Sequence, residues 1–266
     1  MIFQDLEKLT ELYQIYQCKE GKKRENQEKN RNPDILPGDH WRPALMSALN
    51  TRGAPGYINA VFVTSNSKEE VLIATQLPMK QTLADFWALV WDYKCNVMVM
   101  MQRAQDLQEN GCRFFPDKGE TGYGIYKVRM TARASRNGFH RLNAQLRKTN
   151  ETYNNSMEVK LWCLDSWPLG KPLPENPAAV ISLIGEVEKH QMTAPESHIL
   201  VTCCNGASRS GLFCAGIILC EQIRSDGCLD VSSGRAFPPE ETMPVHSQCG
   251  TILLLLHSGS ELSRFL

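Results

Sequence analysis

Apolar residues recur along the chain with two different periods, and these periods predict its secondary structure. Apolar and polar residues alternate over 123–132 and 155–164, as they do in strands with one buried face. Over 83–91 and 176–191 the apolar residues recur at the spacing of a helix that packs one side against a core. Shorter apolar runs and helical patterns complete the prediction, with strands near 58–63, 71–76, 96–101 and 198–203 and helices over 4–17 and 212–223.

This order of elements predicts one α/β (α+β-like) domain, in which helices flank both faces of a twisted mixed sheet. A length of 266 residues is sufficient for a full hydrophobic core. The formal net charge is zero, so bulk electrostatics favour neither nucleic acid nor an anionic membrane as a partner. The basic run over 19–29 also contains Glu20, Glu25 and Glu28 and is predicted to be a solvated linker.

Cysteine usage and hydropathy predict a cytoplasmic domain. The ten cysteines lack the two-residue-gap pairs of metal sites, so neither a metal nor another cofactor is expected. Cys214 and Cys220 fall within an apolar helical pattern, as reduced structural thiols do. We see no signal-peptide pattern before the first predicted helix, and the apolar run over 252–256 is far shorter than the roughly twenty residues of a membrane span. Direct membrane insertion is therefore not expected.

The segment over 201–211 carries the strongest chemical signal. Cys203 and Arg209 lie six positions apart in a loop of small residues, after a predicted buried strand and before a predicted helix. The loop amides would converge at the helix N-terminus, where they can bind an anion and favour an ionised sulfur. Arg209 offers paired N–H groups to phosphate oxygens. The pattern indicates attack by sulfur on phosphorus, although a buried cysteine and an arginine on a helix surface can show the same spacing.

With these residues, the chain resembles the protein tyrosine phosphatases, whose signature is a cysteine, five residues and an arginine followed by Ser or Thr. The recognition segment, residues 28–37, is similar to the stretch with which the family recognises phosphotyrosine. Trp167 and Pro168 occupy the place of the family's mobile acid loop. Other similar segments follow in the family's order at 57–60, 73–78, 82–91 and 97–101.

The resemblance implies a cysteine-phosphatase fold and a role for each matching residue. Cys203 would attack the phosphorus of phosphotyrosine, Arg209 would bind the phosphate, and Ser210 would assist departure of the thiolate. The remaining members of the phosphate-binding loop would be Cys204, Asn205, Gly206, Ala207 and Ser208, and substrate recognition would involve Asn32 and Asp34.

Within the family, residues 203–215 are most similar to the second, membrane-distal domain of tandem receptor-type phosphatases, with the MAM-containing adhesion subgroup nearest. Such domains commonly have little or no activity and are thought to be regulatory. The resemblance implies a place on the cytosolic side of a membrane receptor. It also implies two kinds of partner, a phosphotyrosine protein or peptide and the neighbouring phosphatase domain of the same receptor.

Several residues depart from the family pattern. Leu169 follows Pro168 at the position where active members have an aspartate that protonates the leaving group, a contribution of about 10²–10⁴-fold. Asp165 lies two residues before Trp167 and is not expected to replace the missing acid, because the displacement amounts to several ångströms along an extended segment. Other replacements are Asn32 for a tyrosine that stacks on the substrate ring, Thr202 for a histidine beside the nucleophile, and Ser208 for a glycine.

Beyond residue 231 the resemblance ends, and the closing helices with their water-positioning glutamines are missing. The expected organisation is an N-terminal helix and polar linker over 1–27, a C-terminally incomplete phosphatase-like domain over 28–231, and a divergent, poorly ordered tail over 232–266.

Three functions remain open at this point. A regulatory module that binds phosphate or a partner is favoured, because the missing acid, aromatic clamp and glutamines each remove a separate catalytic function. An active phosphatase that works through a phospho-cysteine is the main alternative. Redox sensing is the third, because Cys203 adjoins Cys204.

Overall fold

A computed structural model describes residues 17–49, 53, 55–65, 71–107, 112–149 and 155–226. The predicted helix over 4–17 lies outside these ranges except for its last residue, and the predicted tail over 232–266 lies wholly outside them. The helices of the described part are α1 (Lys19–Lys22), α2 (Arg24–Gln27), α3 (Leu83–Asp92), α4 (Pro177–Gln191) and α5 (Ser208–Asp226). The strands are β1 (Leu45–Leu49), β2 (Pro55–Gly56), β3 (Ala60–Val63), β4 (Leu72–Gln76), β5 (Val97–Met100), β6 (Glu120–Tyr123), β7 (Tyr126–Ser135), β8 (Phe139–Lys148), β9 (Met157–Leu164) and β10 (Ile199–Cys203).

One large mixed sheet organises the described part of the chain. Its eight strands run in the order β3-β4-β10-β5-β9-β8-β7-β6, and β1 pairs with β2 in a separate ribbon. The central strands β4, β10, β5 and β9 are parallel to one another, whereas β3, β8, β7 and β6 join the sheet through antiparallel pairs. The predicted fold class, a single domain with a mixed sheet flanked by helices, is confirmed.

Helices cover both faces of the sheet, so the central strands are buried on both sides. All five residues of β10 are buried, and they alternate between two cores. Val201 belongs to the core beneath α4 and α5, whereas Leu200 belongs to the core beneath α3. Cys203 ends this strand at the carboxyl edge of the parallel region, which is where open α/β sheets bind their ligands.

Several parts of the structure differ from the sequence-based prediction, which did not contain the ribbon of β1 and β2. The predicted strand over 123–132 is interrupted, because Gly124 adopts a φ of +62° and turns the chain between β6 and β7. β8 has no counterpart among the predicted strands, although buried Leu142, Ala144 and Leu146 alternate within it. Part of the predicted polar linker forms the short helices α1 and α2.

None of the helices in the described ranges is long and apolar enough to cross a bilayer. In the same ranges, no three His, Cys, Asp or Glu side chains come together in a way that could hold a metal ion.

Candidate active site

Cys203 is fixed between two neighbouring strands. The Leu77 N–H donates to the Cys203 carbonyl at 2.7 Å, and the Met101 N–H donates to the Thr202 carbonyl at 2.8 Å. These bonds extend the parallel ladders of β10 beyond its pairings with β4 and β5. The predicted nucleophile is therefore positioned by the centre of the sheet, and the phosphate loop, residues 203–209, begins from a fixed point.

Gly206 allows the phosphate loop to pack directly on the end of β4. Its φ is +75°, a conformation that glycine adopts without steric cost. A Cβ at this position would lie 2.5 Å from the backbone nitrogen of Gln76 and 2.8 Å from the carbonyl carbon of Thr75. Ser208, which replaces a glycine of the family pattern, does not have a positive φ, whereas Gly206 does.

The sulfur of Cys203 lies in an enclosed, polar environment. The residue is 1% exposed, and its Sγ is 3.2 Å from the Ser210 hydroxyl, which is itself fully buried. The Asn205 side-chain oxygen lies 3.3 Å from the same sulfur. The Thr202 hydroxyl is buried without a hydrogen-bond partner in the described part of the chain, so it does not reproduce the network that a histidine would provide at this position.

Arg209 connects the phosphate loop to the acid loop, residues 167–171. Its Nη1 donates to the carbonyls of Trp167 at 2.9 Å and Met101 at 3.3 Å, and its Nη2 donates to those of Pro168 at 2.7 Å and Lys171 at 3.3 Å. The guanidinium carbon also lies 4.6 Å from the Trp167 ring centroid, within cation–π range. Burial lowers the pKa of the guanidinium, while the nearby Cys203 acts in the opposite direction. Arg209 therefore anchors the backbone of the acid loop.

The acid loop itself is closed by internal hydrogen bonds. The Trp167 indole N–H donates to the Lys171 carbonyl at 3.0 Å, and Gly170 turns the chain with a φ of +73°. At the base of the loop, the Glu175 N–H donates to the Ser166 carbonyl at 2.7 Å. Leu169 is partly buried within this turn and has no group that can transfer a proton.

Asp165 is committed to another partner. Its carboxylate lies 2.7 Å from Nδ1 of His140, a residue at the start of β8 that is 3% exposed. Its backbone N–H donates to the Gly138 carbonyl at 2.8 Å. Both contacts hold Asp165 at the β8–β9 edge, which supports the expectation that it does not replace the missing acid at Leu169.

The recognition segment forms a tight turn around Asn32. The side-chain oxygen of Asn32 accepts the Asp34 N–H at 2.9 Å, and its carbonyl accepts the Ile35 N–H at 3.2 Å. Asn32 is half-buried and Asp34 is exposed. Asn32 therefore uses its side-chain oxygen within its own turn, and its position as a substrate contact remains a prediction.

Gln76 joins the recognition segment to the phosphate loop. The resemblance to the family did not assign it this role. Its side-chain amide donates to the Lys29 carbonyl at 2.8 Å, and its side-chain oxygen accepts the Arg31 N–H at 2.9 Å. Its backbone lies against Gly206. The sequence does contain a signal for this role. Gln76 ends a strand that is buried throughout, and a buried amide requires hydrogen-bond partners.

Asn30 is a second buried hub of the recognition segment. Its side-chain amide donates to the carbonyls of Gly21 and Asn26, both at 3.0 Å. Its side-chain oxygen accepts the Tyr57 hydroxyl at 2.6 Å and the Asn59 amide at 3.0 Å. These four bonds attach α1, α2 and the recognition segment to the chain that leads into β3.

Replacing Asn30 with alanine is expected to lower the free energy of unfolding by about 2–4 kcal/mol. The reason is that several buried polar groups would lose their partner together, and each unpaired group costs about 1–3 kcal/mol. Urea denaturation measures the change. Tyr57→Phe is the matched control, because it removes only one of the four bonds and should cost about 1 kcal/mol. Equal losses for the two variants would contradict the role of Asn30 as a hub.

Cys204, the predicted redox partner of Cys203, is half-buried beside the phosphate loop. Burial raises the pKa of the Cys204 thiol, and the nearby Arg31 only partly opposes this effect. A thiol that is mostly protonated at neutral pH is a poor nucleophile toward an oxidised neighbour. The redox hypothesis thus gains no support from this geometry and stays a prediction.

The predicted catalytic and loop residues, Cys203 to Ser210, form one continuous segment, and Arg209 joins it to the acid-loop backbone. We call the predicted phosphate site of this segment the hollow. A family model described as protein-tyrosine phosphatase matches residues 26–234, more than half of the chain. The chain belongs to the protein-tyrosine phosphatase family.

Receptor-type and non-receptor phosphatases are among its relatives. Receptor-type tyrosine-protein phosphatase U of Gallus gallus is 27% identical over 233 residues, which cover 86% of this chain and 16% of the relative. Receptor-type tyrosine-protein phosphatase alpha of Homo sapiens is 29% identical over 211 residues, covering 77% and 25%. Tyrosine-protein phosphatase non-receptor type 5 of Mus musculus is 32% identical over 206 residues, covering 76% and 37%. The chain thus spans a minor part of the length of each of these relatives.

Proposed function

We propose that this chain is a second, membrane-distal phosphatase domain of a receptor, and that it binds phosphotyrosine partners while turning them over weakly or not at all. Family membership and the receptor-type relatives support a receptor phosphatase domain, and the similarity of residues 203–215 supports the membrane-distal one. The domain would act on the cytosolic side of the membrane and would dock on the neighbouring phosphatase domain of the same receptor. Its binding unit would span residues 28–231.

The replacement of the general acid by Leu169 is the observation that carries this proposal. Arg209 holds the acid loop beside Cys203, so position 169 is presented near the hollow without a proton donor. The neighbouring carboxylate of Asp165 is held by His140. Loss of general acid catalysis costs about 10²–10⁴-fold in rate, which is largest for a poor leaving group such as a tyrosine phenolate.

The hollow retains the parts that binding requires. Loop amides at the start of α5 would hold the phosphate, and Cys203 and Ser210 would face its phosphorus. The Arg209 guanidinium would exchange part of its bonds to the acid-loop carbonyls for bonds to phosphate oxygens. The contact of 3.2 Å between Cys203 Sγ and the Ser210 hydroxyl also favours a second candidate function, an active phosphatase. In that reaction the sulfur would displace the phenolate from phosphorus, and water would then hydrolyse the phospho-cysteine.

Calorimetric titration with a phosphotyrosine peptide, followed by a phosphate-release assay on the same samples, separates the two functions. We expect the phosphorylated peptide to bind and its unphosphorylated copy not to bind. We also expect phosphate release at or near the background measured with Cys203→Ser, a variant that retains the loop but lacks the sulfur. Rapid phosphate release that Cys203→Ser abolishes would establish the active phosphatase instead, and absence of binding would refute both.

A further inference from the structure

We propose that Asn205 is an internal ligand of the phosphate loop, which a bound phosphate must displace. The inference rests on the proposed function, since it describes how the same hollow is regulated. In this arrangement a neutral side chain of the loop occupies hydrogen-bond donors that the phosphate oxygens would use. Asn205 therefore sets the affinity of the hollow for anions.

The side-chain oxygen of Asn205 is bound by the loop amides. It accepts the N–H of Ala207 at 3.1 Å and the N–H of Ser208 at 3.0 Å. These two amides lie where the phosphate loop enters α5, and at a helix start such groups have no partner within the helix. Unpaired amides at this position would be the main attraction for an anion, and here they are already paired.

The opposite end of the same side chain is also held. Its Nδ2 donates to the Ser208 hydroxyl at 2.7 Å, so the orientation of the carboxamide is fixed from both ends. Ser208 stands where the family has a glycine, which has no hydroxyl to accept this bond. The pair formed by Asn205 and Ser208 is thus a feature of this chain's own loop.

The sulfur contact makes the internal ligand relevant to reactivity as well as to binding. Cys203 Sγ is 3.3 Å from the Asn205 oxygen, which can only accept a hydrogen bond. The contact is a hydrogen bond only while the sulfur carries its proton, because a thiolate would face the oxygen as a second acceptor. An anion that displaces the carboxamide would remove this contact at the same time.

Displacement requires a side-chain rotation and not a movement of the loop. Gly206 presses against the backbone of Gln76, and Cys203 is tied to β4 through Leu77, so the loop backbone has no room to shift. Asn205 is half-buried, which leaves its side chain a route toward solvent. Because the amides stay in place and only the Asn205 side chain rotates, phosphate and the Asn205 carboxamide compete for the same amides.

A calorimetric titration of the full chain with inorganic phosphate tests the inference. Asn205→Ala is expected to bind phosphate about tenfold more tightly than the unaltered chain, because water in place of the carboxamide is the only competitor left. Asn205→Asp is expected to lose binding, since a carboxylate would accept the same amides more strongly and repel the anion. The rate of Cys203 alkylation by iodoacetamide at neutral pH should rise several-fold in Asn205→Ala.

Asn176→Ala is the matched control. Asn176 caps α4 by accepting the Ala179 N–H at 3.3 Å, so this variant also loses an asparagine cap, but one outside the phosphate loop. It should bind phosphate as the unaltered chain does.

Equal phosphate affinity of Asn205→Ala and the unaltered chain would overturn the inference and leave the proposed function standing. Absence of phosphate binding in every variant would overturn the proposed anion site and the inference with it. If Asn205→Ala fails to unfold cooperatively, Asn205→Asp decides, because its carboxylate preserves the cap; retained binding there would refute the inference.

Discussion

Replacing Gly206 with alanine is expected to lower the free energy of unfolding by roughly 2–5 kcal/mol. About 1–2 kcal/mol arises from placing a Cβ in a left-handed conformation, and about 1–3 kcal/mol from overpacking. The overpacking arises because the new Cβ would lie 2.5 Å from the Gln76 nitrogen and 2.8 Å from the Thr75 carbonyl carbon. Both are backbone atoms of β4, a fully buried strand, so neither can move aside as a flexible side chain would. The phosphate loop would have to lift from the sheet, and binding of phosphate should be lost as well.

Gly119→Ala measures the cost of the left-handed conformation alone, so the difference between the two variants gives the steric part of the loss. Gly119 has a φ of +73°, almost the same as Gly206, but an added Cβ there would meet no atom within 4 Å. Its cost should therefore be about 1–2 kcal/mol. Urea denaturation of both variants gives the comparison. Equal destabilisation of the two variants would show that the close approach of the loop to β4 does not contribute.

Introducing an acid in place of Leu169 should produce the largest change in activity. Leu169→Asp is expected to raise kcat for a phosphotyrosine peptide by about 10²-fold, the lower end of the range for general acid catalysis. The side chain at this position belongs to a loop whose backbone Arg209 and Trp167 already hold beside Cys203. A carboxylic acid there would protonate the departing phenolate while sulfur attacks phosphorus. Initial rates of phosphate release measure the effect.

Leu169→Asn is the matched control, because it has nearly the same shape as aspartate but no acidic proton. It should leave the rate on the peptide unchanged. An aryl phosphate with a strongly acidic phenol gives a second control, since its leaving group needs little protonation and its rate should change little in Leu169→Asp. If Leu169→Asp and Leu169→Asn turn over the peptide at the same rate, the missing acid is not what limits this domain.

Much of the fold follows from patterns that are local in sequence. The continuous apolar run before Cys203 predicts a strand buried on both faces, and β10 is buried at every residue. The helical spacing after Leu212 predicts α5, although the structure begins this helix at Ser208. The earlier start could not be predicted from apolar spacing, because the first turn consists of Ser208, Arg209 and other polar or small residues of the loop.

The antiparallel strands β6, β7 and β8 show where local patterns were insufficient. Gly124 and its neighbour turn the chain between two strands that the alternation alone joins into one. The alternation over Leu142, Ala144 and Leu146 was visible in the sequence, but arginine and glutamine residues interleave it and one of the apolar positions is only alanine. Pairing with β7 and β9 on both sides, and not propensity, makes this segment a strand.

The sequence by itself determined the elements and the reactive groups: a buried strand and a helix with a cysteine and an arginine between them, and, earlier in the chain, a leucine where an acid would act. These features depend on residues a few positions apart, whose periodicity and identity are present in the chain before it folds. Only the tertiary structure decided which partners those groups have. Arg209 binds carbonyls 38 to 108 positions away, and Asp165 contacts a histidine 25 positions away. Such contacts form only when the order of strands in the sheet brings distant segments together, and even the short-range contact of Asn205 with the loop amides depends on Gly206 resting against β4.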